Sequence, residues 1–258
     1  MIAWVSALVL AAVSAGGTSV PSMLAQADSM YHQALASEGM DRTILAQRAA
    51  AVLEQVAAGE GRWNGHVLYN LGTAYHLAGD VGRAMLNYRR AQRLLRGFPD
   101  LESNLDVAMA QRRDKIEPGQ REEILRALFF WHHLLSPAAR RWIFAGSFLL
   151  LWLMLTLNVF KRTGVATAIA GLAGLIAIVF GLSVGNDFMA SARKDHGVVI
   201  AQEVGAKTGP GASYAAAYEG GLHAGTELRV LEQEAGWFRV RLIDGSECWL
   251  PEGSFERY

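Results

Sequence analysis

Apolar and polar positions along the chain change period twice, and each change marks a new kind of segment. The first residues form an apolar run from Ile2 to Val13, followed by small residues with Val13-Ser14-Ala15 as a cleavage site. This predicts a secretory signal peptide over 1–17, because the run is short for a spanning helix of ~20 residues. No Lys or Arg precedes the apolar core, which leaves an uncleaved anchor or a buried helix open. From 21 to 117 the pattern is helical. Ile44, Leu45, Ala49, Val52, Leu53 and Val56 recur at three- and four-residue steps and predict one amphipathic face. Val67 to Leu77 and Val81 to Leu95 predict a helix pair broken at Ala78-Gly79-Asp80. Gly79 suits a helix end, and Asp80 can accept from the free N–H groups of the helix after it.

The stretch 120–135 mixes Ile124, Leu125, Leu128, Phe129 and Phe130 with Arg121, Glu122, Glu123 and Arg126, and ends at Trp131-His132-His133. It predicts an amphipathic helix at a lipid–water interface. Ser136-Pro137 then supplies an N-cap and a first-turn proline for a new helix. Within 138–188, residues 142–160 hold no charge over 19 positions and residues 164–186 none over 23. Each can cross a ~30 Å hydrocarbon layer as a helix. Lys161-Arg162 leave room only for a tight hairpin, so both flanks belong on one side of the membrane. After Arg193-Lys194 the period becomes two. Val198–Ile200, Glu227–Glu232, Trp237–Ile243 and Glu247–Leu250 predict short strands. They are separated by Gly209-Pro210-Gly211, Gly220-Gly221, Ala235-Gly236 and the hairpin signal Asp244-Gly245. A segment of this size (196–258) built from short strands predicts a small barrel.

Composition supports the membrane expectation. Of 258 residues, 52% are apolar and 19% charged, below the ~25% usual in soluble domains. The 24 basic and 24 acidic residues balance, which argues against a nucleic-acid partner. A single cysteine, Cys248, excludes a disulfide framework and a cysteine-based zinc site.

Leu68, Leu71-Gly72, Tyr75, Ala84, Tyr88 and Ala91 fall at the steps of the tetratricopeptide repeat, with Leu68 standing where the pattern has tryptophan. Asn70-Leu71 recurs as Asn104-Leu105, and Ala74 as Ala108, at the repeat's period of 34 residues. Gly225-Thr226, Trp237, Val240-Arg241-Leu242, Asp244-Gly245 and Trp249-Leu250 resemble a bacterial SH3 domain. The implied fold class is a multidomain membrane protein: an all-α tetratricopeptide-repeat domain over 21–117, a transmembrane helical hairpin, and a small all-β SH3-like barrel over 196–258. That order, with the Asn-Leu-Gly-x-Ala-Tyr run at 70–75, Asn104-Leu105 and Phe-Trp-His at 130–132, is similar to the BatE family of the bacterial aerotolerance operon. The resemblance implies an envelope protein working with membrane proteins of the same complex, including von Willebrand factor A-like proteins. It implies no reaction.

For partner binding in a repeat groove, the candidates are Asn70, Tyr75 and Asn104. An asparagine amide both donates and accepts, as contact with a peptide backbone requires. The asparagines would equally serve to cap or bridge helices. In the SH3-like segment Trp237 and Trp249 would line a peptide or glycan groove, or pack as core and strand edge, and Tyr214 and Tyr218 lie in the long loop that would flank such a groove. Arg83, Arg89, Arg90, Arg93 and Arg96 crowd one helix, with Arg89, Arg93 and Arg96 sharing a face. They would meet an acidic partner or anionic lipid, or form a solvated face. His132 and His133 point about 100° apart on a helix and are poorly placed to chelate one ion. No phosphate loop, nucleophile turn or metal-ligand pair appears, so neither catalysis, metal nor cofactor is expected.

A signal peptide would put both terminal domains on the periplasmic or outer face of the bacterial inner membrane, with the Lys161-Arg162 loop cytoplasmic. Arg140-Arg141 and Arg193-Lys194 pull the charge rule the other way. Two functions follow. One is a membrane-anchored scaffold or adaptor that holds partner proteins through the repeat groove and the SH3-like domain. The other is a cell-wall protein that grips peptidoglycan and recruits a remodelling enzyme.

Overall fold

The structure is a computed structural model and describes residues 19–59, 61, 64–95, 97–117, 119, 135–192 and 195–258. The expected signal peptide over 1–17 lies outside the described residues. So does the expected interfacial helix over 120–135, apart from Leu135.

Five helices come first: α1 Val20–Ala36, α2 Gly39–Ala58, α3 Gly65–Leu77, α4 Val81–Leu94 and α5 Pro99–Ala110. Their boundaries follow local chemistry. The Asn64 side chain accepts from the N–H groups of His66 and Val67 and caps α3. Between α3 and α4, Gly79 takes φ +83° and the Asp80 carboxylate accepts from Arg83 N at 2.9 Å. The α3–α4 crossing is close because of size. A Cβ on Gly72 would stand 2.6 Å from the Tyr88 ring, and Ala84 is fully buried beside it. The helical core gathers Tyr31, Leu53, Tyr69, Met85, Tyr88 and Leu101, all buried.

The C-terminal elements are β1 His196–Val199, β2 Glu203–Val204, β3 Leu222–His223, β4 Glu227–Glu234, β5 Trp237–Leu242, β6 Glu247–Pro251 and β7 Phe255–Arg257. β6-β5-β4-β1-β7 form one antiparallel sheet, and β2 pairs with β3 apart from it. Alternation holds: Phe238, Val240 and Leu242 on β5 face Leu250 and Cys248 on β6 inside the sheet core. Three short pieces, β2, β3 and β7, carry too few residues to show a period.

These helices and this sheet belong to one compact unit, 1–119 with 194–258. Strand β1 joins them because successive side chains point to opposite faces. Val198 packs into the helical core and Val199 into the sheet core.

The second unit spans 120–193 and holds α6 Pro137–Phe160 and α7 Gly164–Ala192. Ser136 Oγ accepts from Ala139 N at 3.2 Å and starts α6. Both helices are long and apolar enough to cross a membrane, and only 6% and 17% of their apolar windows are buried. A helix in the core of a soluble domain would be mostly covered. Among the residues of α7 whose burial is described, Ala170, Ala173 and Ala177 are the buried apolar ones.

Candidate partner-binding site

Two arginines of α4, Arg89 and Arg90, meet carboxylates of the sheet. Arg89 Nε donates to Glu227 Oε1 at 2.6 Å, and Arg112 Nη1 lies 3.8 Å from the other oxygen of the same carboxylate. Arg90 donates to Glu256 at 2.8 Å and to the Arg257 carbonyl at 3.1 Å. Arg93 stacks over the Tyr258 ring at 5.2 Å. Arg89 and Arg93 are therefore covered by acidic and aromatic groups of the same chain, and the expectation of a solvated face does not hold for these two; Arg96 lies outside the described residues. Burial alone would make Arg89 a weaker base, yet the adjacent Glu227 carboxylate holds its pKa above the ordinary value. Burial and the Glu227 charge push the Tyr258 hydroxyl up to about 12.

A second brace lies on the strap after α5. The Asp114 carboxylate accepts from His223 N at 2.7 Å and from Thr226 Oγ1 at 2.6 Å, and lies 2.7 Å from His223 Nδ1. Burial works to raise its pKa, but these hydrogen bonds outweigh it and the net shift is downward. Further along, Gly119 N donates to Ile243 O. No sequence spacing pairs Asp114 with residues more than a hundred positions away, and Glu227 and Glu256 carried no local signal either.

An open cavity of about 530 Å³ lies along the braced helices. Leu68 and Leu71 of α3 and Leu86 of α4 supply apolar lining, and Glu54 of α2 and Tyr258 also line it. Tyr75, buried, also lines it. Its hydroxyl donates to Glu54, and the Arg83 guanidinium lies 5.6 Å from its ring centre. Burial and the neighbouring Glu54 carboxylate push the Tyr75 hydroxyl well above its ordinary pKa. Asn87 of α4 closes one wall.

The other sequence candidates lie elsewhere. Asn70 and Asn104 are buried, and neither lines the cavity. Asn104 Nδ2 donates to Tyr69 Oη at 2.9 Å, linking α5 to α3. In the sheet, Trp237 opposes Pro251 and Arg239 opposes Trp249, so the two tryptophans stand diagonally on the outward face of β5–β6. Trp249 is nonetheless buried, and its backbone exchanges two hydrogen bonds with Lys207. Tyr214 is exposed and folds over the glycine loop, where a Cβ on Gly209 would stand 2.3 Å from its ring. The Tyr218 hydroxyl bonds Ser246. Burial pushes the Cys248 thiol up to about 12, which keeps it protonated and a poor nucleophile.

Asn87 and Tyr258 were missed in the sequence. The arginine-rich α4 was the one signal pointing to them, since it marked a helix needing counter-charges. Among the described residues no group of three or more His, Cys, Asp or Glu side chains could hold a metal ion. No protein-family model matches the chain, and neither do the curated proteins or solved structures compared with it.

Proposed function

We propose that this chain is a membrane-anchored adaptor that holds a partner protein in the cavity between α2, α3 and α4. The observation that carries this reading is the cavity itself. It is lined by side chains from three helices and the C-terminal residues, and its lining includes Arg90 and Glu256, which are ion-paired to each other. A site held by such braces loses little order on binding, which favours recognition. The lining offers apolar surface with a few charged and amide groups, a composition suited to gripping a segment of chain. On this reading α6 and α7 are a transmembrane hairpin, and residues 1–119 and 194–258 lie together on the periplasmic or outer side of the bacterial inner membrane. The helices α3 and α4 are a tetratricopeptide repeat with α5 opening the next, and the sheet is an SH3-like barrel. Exposed Tyr214 offers a second contact there. Two modest sites on one anchor raise effective concentration without new chemistry. The resemblance to the BatE family makes von Willebrand factor A-like membrane proteins the first partners to seek.

The test is crosslinking in intact cells, followed by affinity purification and mass spectrometry. Recovery of membrane proteins of one complex by the wild type, and their loss when the α6–α7 segment is replaced by a soluble linker, is the expected result. A wild-type protein that crosslinks to no membrane protein overturns the adaptor reading.

A further inference from the structure

The helix α6 turns one face to α7 and leaves the opposite one open. Toward α7 stand Arg140, which bonds Ser183 and Asp187, buried Ser147, and Leu151, whose side chain a Cβ on Gly174 would meet at 3.7 Å. On the opposite side Gly146, Leu149 and Trp152 recur at three-residue steps and all are exposed, Leu149 by 69% and Trp152 by 56%. With 3.6 residues to a helical turn, Gly146 and Trp152 flank Leu149 symmetrically, about 60° to either side. A helix facing lipid shows leucines as a matter of course, but the glycine and the tryptophan need a reason.

Gly146 leaves a gap, since a Cβ there would meet nothing within 4 Å. Glycine weakens a helix interior, and in membranes it serves where another helix comes close. The main-chain carbonyls beside such a gap lie open, and each keeps a lone pair beyond its helical bond. Trp152 lies one position past the midpoint of the charge-free stretch 142–160. Tryptophans gather at the lipid–water boundary, where the indole N–H stays wet. At mid-depth about 15 Å of hydrocarbon lies on either side. The ring leans toward the start of the helix, where it meets Phe148 edge to face with centres 6.2 Å apart. Phe148 carries no acceptor oxygen, and among the described residues no group accepts from the Trp152 N–H. An unpaired donor in hydrocarbon is costly.

We propose that two copies of this chain pair in the membrane through this face of α6. The Trp152 ring of each copy sits in the Gly146 gap of the other, and its N–H donates to a main-chain carbonyl there. The inference rests on the transmembrane reading of α6 and α7 and adds a stoichiometry to it. Copies inserted by one route share one orientation, so their α6 helices run parallel about a two-fold axis. With Leu149 against Leu149 on that axis, the Trp152 side of one helix lies beside the Gly146 side of the other. The lean of the indole toward the helix start carries it to the level of the gap. Knob, gap and donor thus stand on one face at the spacing that a second copy matches, which is why the occupant is another α6. Lipid fills the gap equally well but leaves the indole unpaired.

The experiment uses the full chain in detergent micelles, with the dimer constant read by sedimentation equilibrium. The wild type is expected to dimerise. Gly146→Leu fills the gap and should weaken the dimer by at least about tenfold. Trp152→Phe keeps a ring and removes the donor, and should cost about fivefold, since two hydrogen bonds are lost per pair. In the Gly146→Leu background Trp152→Phe should cost nothing further. Oxidation should link two copies of Leu149→Cys but not of Leu150→Cys, its neighbour at the same depth on the side of the helix. Native Cys248 is buried in the sheet core and stays out of this reaction. A wild type that is monomeric at every protein-to-detergent ratio overturns the proposal, as does a dimer that neither Gly146→Leu nor Trp152→Phe weakens. Leu149→Cys that links in native membranes to another protein, and never to a second copy, also overturns it. Alkaline carbonate extraction separates the two readings. If it releases the wild type from membranes, the transmembrane reading falls and this one with it. If the wild type stays in the membrane as a monomer, only the pairing falls.

Discussion

The two units of this chain use the same residue types in opposite directions. Among the helices α1–α5, Tyr31, Tyr69 and Tyr88 are wholly buried and leucines fill the space around them. In the α6–α7 pair, Trp142 is 78% and Phe160 84% exposed, while alanines and Arg140 are among the residues inside. Water drives the first arrangement, because apolar area is removed from it. In the second, apolar surface faces outward and the helices meet through small residues and polar bonds, as helices do in lipid. A Cβ on Gly181 would sit 3.0 Å from the Phe144 ring. The lesson concerns charge. Arg89 and Glu227 are partly exposed to solvent, whereas Arg140 is 4% exposed, donates to Ser183 at 3.0 Å and pairs with Asp187 at 2.9 Å.

The largest expected effect follows from that contrast. Arg140→Leu should destabilise the helix pair by roughly 3–5 kcal/mol, because a buried guanidinium and its bonds to Asp187 and Ser183 are lost together. Arg140→Leu combined with Asp187→Leu should recover most of the loss, as read by denaturant titration in micelles. An equal cost for single and double variants would mean that the pair does not act as a unit.

A smaller effect tests the aqueous side. The Asp114 pKa is held below its ordinary value in the folded state. Its stabilisation is therefore fully present above about pH 4, the unfolded value, and is lost as pH falls through the folded one. Asp114→Asn should lower stability at pH 7 by about 1.5–3 kcal/mol, since its bonds to His223 and Thr226 lose their charge. The gap between variant and wild type should close in acid. A gap that persists at low pH would assign the loss to packing.

The smallest concerns a turn. β4 and β5 are joined through Ala235 at φ +48° and Gly236 at φ +81°, both in the left-handed region. Ala235→Asn relieves an alanine of a conformation it disfavours and should raise stability by about 0.5–1 kcal/mol by thermal melting.

What could be read from the sequence was local. The helix break at Gly79-Asp80, the N-cap at Ser136, the charge-free spans and the strands flanking Asp244-Gly245 depend on residues a few positions apart, and periodicity reports those. The braces did not declare themselves, because Arg90 and Glu256 are 166 positions apart and each looks like an ordinary surface charge. Of the cavity, Leu68 and Tyr75 stood out through the repeat pattern. Asn87 did not, since a place in a cavity wall is a property of surroundings and not of spacing.

The discontinuity of the first unit sets an order of events. Residues 1–119 and 194–258 fold together, with 120–193 between them in the chain. The helices α1–α5 leave the ribosome long before β1, whose Val198 completes their core. Until then that core has an open apolar side, and α4 carries arginines without their carboxylates. Closure of the first unit therefore waits until both long apolar helices have been made. Only when residues 194–258 have followed can Glu227, Glu256 and Tyr258 meet α4 and complete the cavity.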